Sequence, residues 1–397
     1  MSFTRNTSIA CTFVFALLAA CSNDGDGPPG FTPPPVDECG TLDPSDDASS
    51  AEDLSLGAVQ RCRETSGSNV CLERVFRKYL QTHTVREATA ELQRYIDSDT
   101  SIRLGCHPIA HAIGREAFLK HGTVHDSFDA CDQTCHSGCY HGAMERFLRG
   151  DAACGEHVFF DELEMKAATA CDPELPFTQR FQCLHGLGHA LLYFSGYDLV
   201  ESLLLCDATG DGWSQSSCYG GVFMENIVAA EPELRDLSPS DPHYPCSVLD
   251  ERYRADCYLM QTSRMSEMGL SSAEILVACR DAGVHRLTCV QSMGRDLSNE
   301  ARIGNPRTVS EICERGEADE QAACSRGVVY ALVDNTWDGR YAMPFCATFR
   351  EDADKAYCYD VTTGYLEGMF GKTEAELTDE CTRYAPGEAA CTEAIGP

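Results

Sequence analysis

Residues 198–225 read DLVESLLLCDATGDGWSQSSCYGGVFME. Asp198 stands before a short apolar run that ends at Cys206, a loop of Asp, Gly and Thr follows, and Cys218 leads into a second apolar stretch. An Asp followed three residues later by Glu201 is a capping box: the first side chain takes an orphan backbone N–H, and the second reaches back. The segment predicts a short helix, a Cys, a loop, a Cys and a longer helix.

The same plan recurs along the chain. Cys171, Cys206, Cys246, Cys279, Cys313, Cys346 and Cys381 each precede a second Cys by 10 to 12 positions: Cys183, Cys218, Cys257, Cys289, Cys324, Cys358 and Cys391. Cys62 with Cys71 and Cys131 with Cys139 are shorter versions. Ser271 with Glu274 and Thr373 with Glu376 repeat the capping box, and 184–194 and 325–333 are examples of the longer helix. Extended back through Cys139, Cys106 and Cys71, the downstream series has a period near 35, about the length of one helical hairpin. The expected fold is all-α, built of disulfide-stapled helical-hairpin repeats, as a solenoid or a closed α/α ring. A disulfide closing so short a loop contributes roughly 2–3 kcal/mol, which compensates for hairpins that bury little alone. Cys39, Cys106, Cys135 and Cys154 remain without an assigned partner. Cysteine-ligated zinc is the weaker alternative, because no Cys-x-x-Cys occurs, although Cys131, Cys135 and Cys139 would share one face of a helix.

Twenty-four Cys in 397 residues point to an oxidising compartment. The formal net charge of −31 argues against a nucleic-acid partner, since such a surface repels phosphate backbones. Residues 9–20 are a short apolar run, and Leu18-Ala19-Ala20-Cys21 has the form of a bacterial lipoprotein cleavage box. The expected organisation is a signal peptide over 1–20 and a lipidated Cys21. A Pro/Gly/Asp tether over 21–50 follows, then repeats over 51–230 and, continuous with them, repeats over 231–397. Ser22 favours the outer membrane. The expected address is thus the bacterial cell envelope, extracytoplasmic, with the membrane as partner through Cys21. Any protein or small-molecule ligand is unspecified.

Chemistry concentrates in the first repeats. His107 and His111, His141 and Glu145, and His185 and His189 are ligand-type pairs at i, i+4, close behind Cys106, Cys139 and Cys183. That spacing stacks two side chains on one helical face and suits two imidazoles on one metal. Glu225 follows Cys218, displaced by one position. Ligands on neighbouring helices about 8–10 Å apart can converge on one or two metal ions. A nitrogen-rich set suits a transition metal (zinc, copper or iron) rather than calcium. Glu145 and Glu225 are candidate general bases on a metal-bound water, and Tyr140 and Tyr219 are expected to pack. Arg115 and Glu116 read as a surface pair. Gly142, Gly186, Gly188, Gly220 and Gly221 suggest close helix packing or backbone facing a ligand. After Cys257 the position of His185 is taken by Leu259, Gln291, Arg326 and Asp360.

No nucleophile elbow, phosphate loop or dinucleotide fingerprint occurs. The loop from Asp207 lacks a Glu at its twelfth position, where Cys218 stands, so calcium binding is not expected. The 334–341 loop around Trp337 either binds a partner or packs. Two functions follow: a metal-binding, optionally catalytic, site on an exported scaffold, or a metal-free interaction protein at the cell surface.

Overall fold

The computed structural model describes residues 42, 45–65, 68–150, 160–229 and 232–395. They are helical, with two short 3-10 turns and no strand among the described residues. Residues 1–20, Cys21, Cys39 and Cys154 lie outside this set, as does most of the segment expected as a tether. At its end Leu42 and Ala48 are buried, and the Leu42 N–H donates to Glu73 Oε2.

All nine short-range cysteine pairs are joined: Cys62–Cys71, Cys131–Cys139, Cys171–Cys183, Cys206–Cys218, Cys246–Cys257, Cys279–Cys289, Cys313–Cys324, Cys346–Cys358 and Cys381–Cys391. A tenth bond, Cys106–Cys135, spans 29 residues. With Cys131, Cys135 and Cys139 all in disulfides, no thiolate remains there for zinc.

Short and long helices alternate as expected, but the long ones begin earlier. They run Phe177–Phe194, Gly212–Val228, Ala318–Asp334 and Asp352–Phe370, so each downstream Cys lies in the second turn rather than at the start. The caps explain this. Asp211 accepts the Ser214 N–H to start one helix, and Glu317 with Glu320 closes a box at another. Boxes also close at Ser271/Glu274 and Thr373/Glu376, and Asp198 caps the Glu201 N–H.

Three pairs of long helices interlock in one way. Cys106–His121 packs on Thr134–Arg149 with Gly114 facing the Cys139 carbonyl and Gly142 facing the His111 carbonyl; an added Cβ would lie 1.9 Å from either oxygen. Phe177–Phe194 and Gly212–Val228 repeat this with Gly188 on Cys218 O and Gly221 on His185 O, at 2.0 and 1.9 Å. Arg286–Ile303 and Ala318–Asp334 do so with Gly294 on Cys324 O and Gly327 on Gln291 O. Only glycine lets backbones meet this closely.

The interlock also sets the register. His141, His185, Gln291 and Arg326 each stand two residues after a stapled Cys. In the first helix the matching residue is His111, so Ile109, not Cys106, occupies the staple position. Cys106 is therefore free to reach Cys135, and the period near 35 does not pass through it.

The array turns back on itself. The Thr178 hydroxyl donates to the Met369 carbonyl at 2.8 Å, and the Trp337 ring lies 6.4 Å from Tyr140 and 5.9 Å from Phe370. The 334–341 loop thus packs Trp337 between early and late helices.

Candidate metal centre

The first three interlocked helices are buried nearly all round. Ile109 to Ala117 and Gln182 to Leu192 are continuously buried stretches. A helix enclosed on every side should be apolar throughout, yet these carry His111, Arg115, Glu116, His185 and His189. His141 projects from the second helix toward the third, where Gly186 leaves room: an added Cβ there would sit 3.2 Å from the His141 ring.

Four imidazoles meet in this interior. The ring centroids of His107, His111, His141 and His189 are separated by 4.5, 5.1, 6.1, 5.4, 6.1 and 4.8 Å, all six pairs of a compact tetrahedron. His107, His141 and His189 offer ligand nitrogens within 4.8 Å of one another, a group that could hold a metal ion. His111 Nε2 is 3.0 Å from His107 Nε2, and His141 Nδ1 is 3.4 Å from the same atom.

Each far nitrogen but one has an acceptor of its own. His107 Nδ1 faces the Cys135 carbonyl at 2.8 Å, His111 Nδ1 faces Glu145 at 2.6 Å, and His189 Nδ1 faces Glu225 at 2.9 Å. An Nδ1–H donor leaves the Nε2 lone pair turned inward. His141 Nε2 and His189 Nε2 are buried without a hydrogen-bond partner. The acceptors are themselves held. Arg115 bridges Glu145 and Glu73, and Tyr197 donates to Glu225 at 3.4 Å. Cys135, His136 and Ser137 have φ of 53°, 54° and 63°, a left-handed turn that costs on the order of 1–3 kcal/mol per residue. That turn presents the Cys135 carbonyl to His107, and Cys106–Cys135 and Cys131–Cys139 anchor it.

Burial, then the neighbouring imidazoles, pushes His107 and His141 well below the usual imidazole value, and burial pushes His185 and His189 down to about 3. These rings are neutral at neutral pH, as ligation requires. Burial would raise Glu145, but His111 and Arg115 outweigh it and hold the carboxylate well below its ordinary range. Glu225 is pushed up to about 7 by burial and by the Glu145 charge.

Of the expected site residues, His185 stands one layer out. Its ring stacks on Phe181 at 5.5 Å and lies 5.3 Å from His141. Glu145 and Glu225 face imidazoles rather than an open water site. Arg115 and Glu116 are buried at 4% and 3% exposure, not a surface pair: Arg115 joins Glu73 to Glu145, and Glu116 pairs with Arg77 at 2.6 Å. Glu73, Tyr197 and the Cys135 carbonyl went unread in the sequence, and the only hint to any of them was that Cys106 and Cys135 lacked nearby partners. Tyr140 packs on Phe128, and Tyr219 on Tyr253, with the Tyr219 hydroxyl on Asp207. Asp207 also accepts from Tyr253 and pairs with Arg252, so this loop is tied by side chains.

No family model, curated protein or solved structure matches this chain.

Proposed function

We propose that this chain is an exported metal-binding protein whose centre is a tetrahedral set of four imidazoles, His107, His111, His141 and His189. The observation that carries this is the set of six ring separations. A nitrogen ligand about 2.0–2.1 Å from zinc puts its ring centre about 3.2 Å from the metal, so four tetrahedral rings stand about 5 Å apart. The rings here span 4.5 to 6.1 Å. Glu145, Glu225 and the Cys135 carbonyl act as outer partners that fix ring orientation and tautomer, and the two carboxylates offset the ion's charge. In this arrangement they orient ligands rather than serve as bases. Four protein ligands leave no position for water, so the centre holds metal rather than hydrolyses. Tetrahedral nitrogen favours zinc over copper(II), which prefers a tetragonal site.

One contact favours the rival, a metal-free scaffold: His107 Nε2 and His111 Nε2, 3.0 Å apart, can satisfy each other with one proton. That arrangement still leaves His189 Nε2, which faces the centre, buried and unpaired, at about 1–3 kcal/mol. Equilibrium dialysis against zinc, with elemental analysis, decides between them. One ion per chain, lost in His189→Ala, is expected; no stoichiometric uptake leaves the scaffold.

The disulfides accord with an extracytoplasmic site. Among the described residues no helix is long and apolar enough to cross a membrane. We propose that the chain is anchored through lipid at Cys21, with outer-membrane placement; the Leu18-Ala19-Ala20-Cys21 box supports this. Cys21→Ser should move the chain from the membrane to the soluble fraction; unchanged membrane association would exclude lipid at this residue as the anchor.

A further inference from the structure

Of the ten described disulfides, Cys106–Cys135 alone lies outside the staple pattern, and both its ends reach the histidine cluster. Cys106 directly precedes His107. Cys135 supplies, through its carbonyl, the partner of His107 Nδ1 at 2.8 Å. Among the described residues Cys135 is also the one disulfide cysteine with a left-handed φ. Three successive side-chain-bearing residues in that region persist only while their surroundings hold them there. Cys131–Cys139 fixes the ends of this loop, and Cys106–Cys135 ties its middle to the His107 helix. Just past the turn, Gly138 sits so near that helix that an added Cβ would lie 2.9 Å from the His107 carbonyl. Turn and ligand are therefore mechanically joined.

This corner is also the open side of the cluster. Cys106 and Cys135 are 7% and 8% exposed, and no other described disulfide has both its cysteines above 2%. His136, beside Cys135, is exposed. His107 is half-buried, whereas His111, His141 and His189 are buried. The imidazole nearest solvent is thus the one whose orientation depends on a reducible bond.

We propose that Cys106–Cys135 is a redox switch on the metal centre: a dithiol reductant opens the bond, the turn relaxes, the Cys135 carbonyl leaves His107, and the centre loses affinity for its ion. The proposal rests on the four-imidazole reading and adds its regulation. The dithiol gives two electrons and two protons; the S–S bond breaks to two thiols, and the reductant closes to its own disulfide. Loss of such an outer partner lowers metal affinity about 10- to 100-fold. Linkage makes the effect reciprocal, so zinc makes the bond harder to reduce by the same factor. At about 30 mV per tenfold, that is a shift of about 30–60 mV.

The test uses the full chain. Zinc affinity is measured without reductant for wild type, Cys106→Ser/Cys135→Ser and, as a control, Cys381→Ser/Cys391→Ser, each checked for helix content by circular dichroism. The first double variant should bind about 10- to 100-fold more weakly, and the control should match wild type. Separately, wild type is equilibrated in graded dithiothreitol buffers, with and without zinc held at a fixed free concentration, then alkylated and mapped by mass. Zinc should shift opening of Cys106–Cys135 by the same 10- to 100-fold and leave Cys381–Cys391 unshifted. This arm needs no variant, so it decides alone if the double variant does not fold. Equal or tighter zinc binding by a folded double variant would overturn the switch and leave the metal reading standing. So would a zinc shift that is absent, or shared equally by Cys381–Cys391. No zinc uptake by the oxidised wild type would overturn both.

Discussion

The Cys289/Cys324 helix pair and the two histidine-bearing pairs are built on one interlock and filled with different chemistry. Gly294 and Gly327 meet the carbonyls of Cys324 and Gln291 just as Gly114 and Gly142 meet those of Cys139 and His111. Where the early pairs place His111, His141 and His185, the later pair places Gln291 and Arg326, and these bond each other at 2.9 Å. The backbone geometry therefore asks for glycine opposite a carbonyl and makes no demand for imidazole. At these matched positions of the later pair, Gln291 and Arg326 satisfy each other. In the early ones two nitrogens are left over. The histidines are thus not a by-product of the repeat.

The strongest way to break this comparison is to attack the shared interlock. Gly327→Ala and Gly142→Ala each force a Cβ to within 1.9 Å of a carbonyl oxygen, and both should destabilise the fold by about 3 kcal/mol or more in urea unfolding. Wild-type unfolding of either would show that the helices are not in this register. Next comes the difference between the regions. His189→Ala should lower zinc affinity by at least about 100-fold, while Gln291→Ala leaves it unchanged; competition with a chelator reads both. Glu225→Gln keeps the shape and removes the charge, and should cost about 10- to 100-fold in the same assay. An affinity equal to wild type would remove Glu225 from the outer layer.

The smallest effect concerns pH. Asp334, at the end of the later pair, accepts from Tyr365 at 2.9 Å, and burial pushes its carboxyl up to about 7. Between its ordinary value of 3.8 and about 7 the folded chain holds a proton that the unfolded chain has released. Its contribution to stability is thus fully present below the lower value and is lost as pH rises through the upper one. Stability of Asp334→Asn should fall less than wild type across that window; parallel curves would contradict the assignment.

Much of this was legible in the cysteines. Nine staples closing 8 to 12 residues follow from spacing alone, because a short helix, a loop and a long helix bring such positions together. Cys106–Cys135 did not follow, since its 29-residue span depends on which residue fills the staple slot, and that is set by glycine contacts between helices. The i, i+4 histidines pointed to a shared site of one or two ions, but spacing could not tell which rings face inward. His111 and His185 hold equivalent positions, yet His111 lies among the inner four and His185 against Phe181. Arg115 and Glu116 looked like surface residues because charge is the usual mark of an exposed face. Their partners, the buried Glu73 and the half-buried Arg77, come from a helix about forty residues upstream.

X-ray absorption at the zinc edge of the loaded, disulfide-intact chain tests the central claim most directly. Four nitrogen neighbours at about 2.0 Å, with imidazole outer-shell scattering and no sulfur, are expected. Sulfur in the first shell, or a six-coordinate ion at longer oxygen distances, would contradict it.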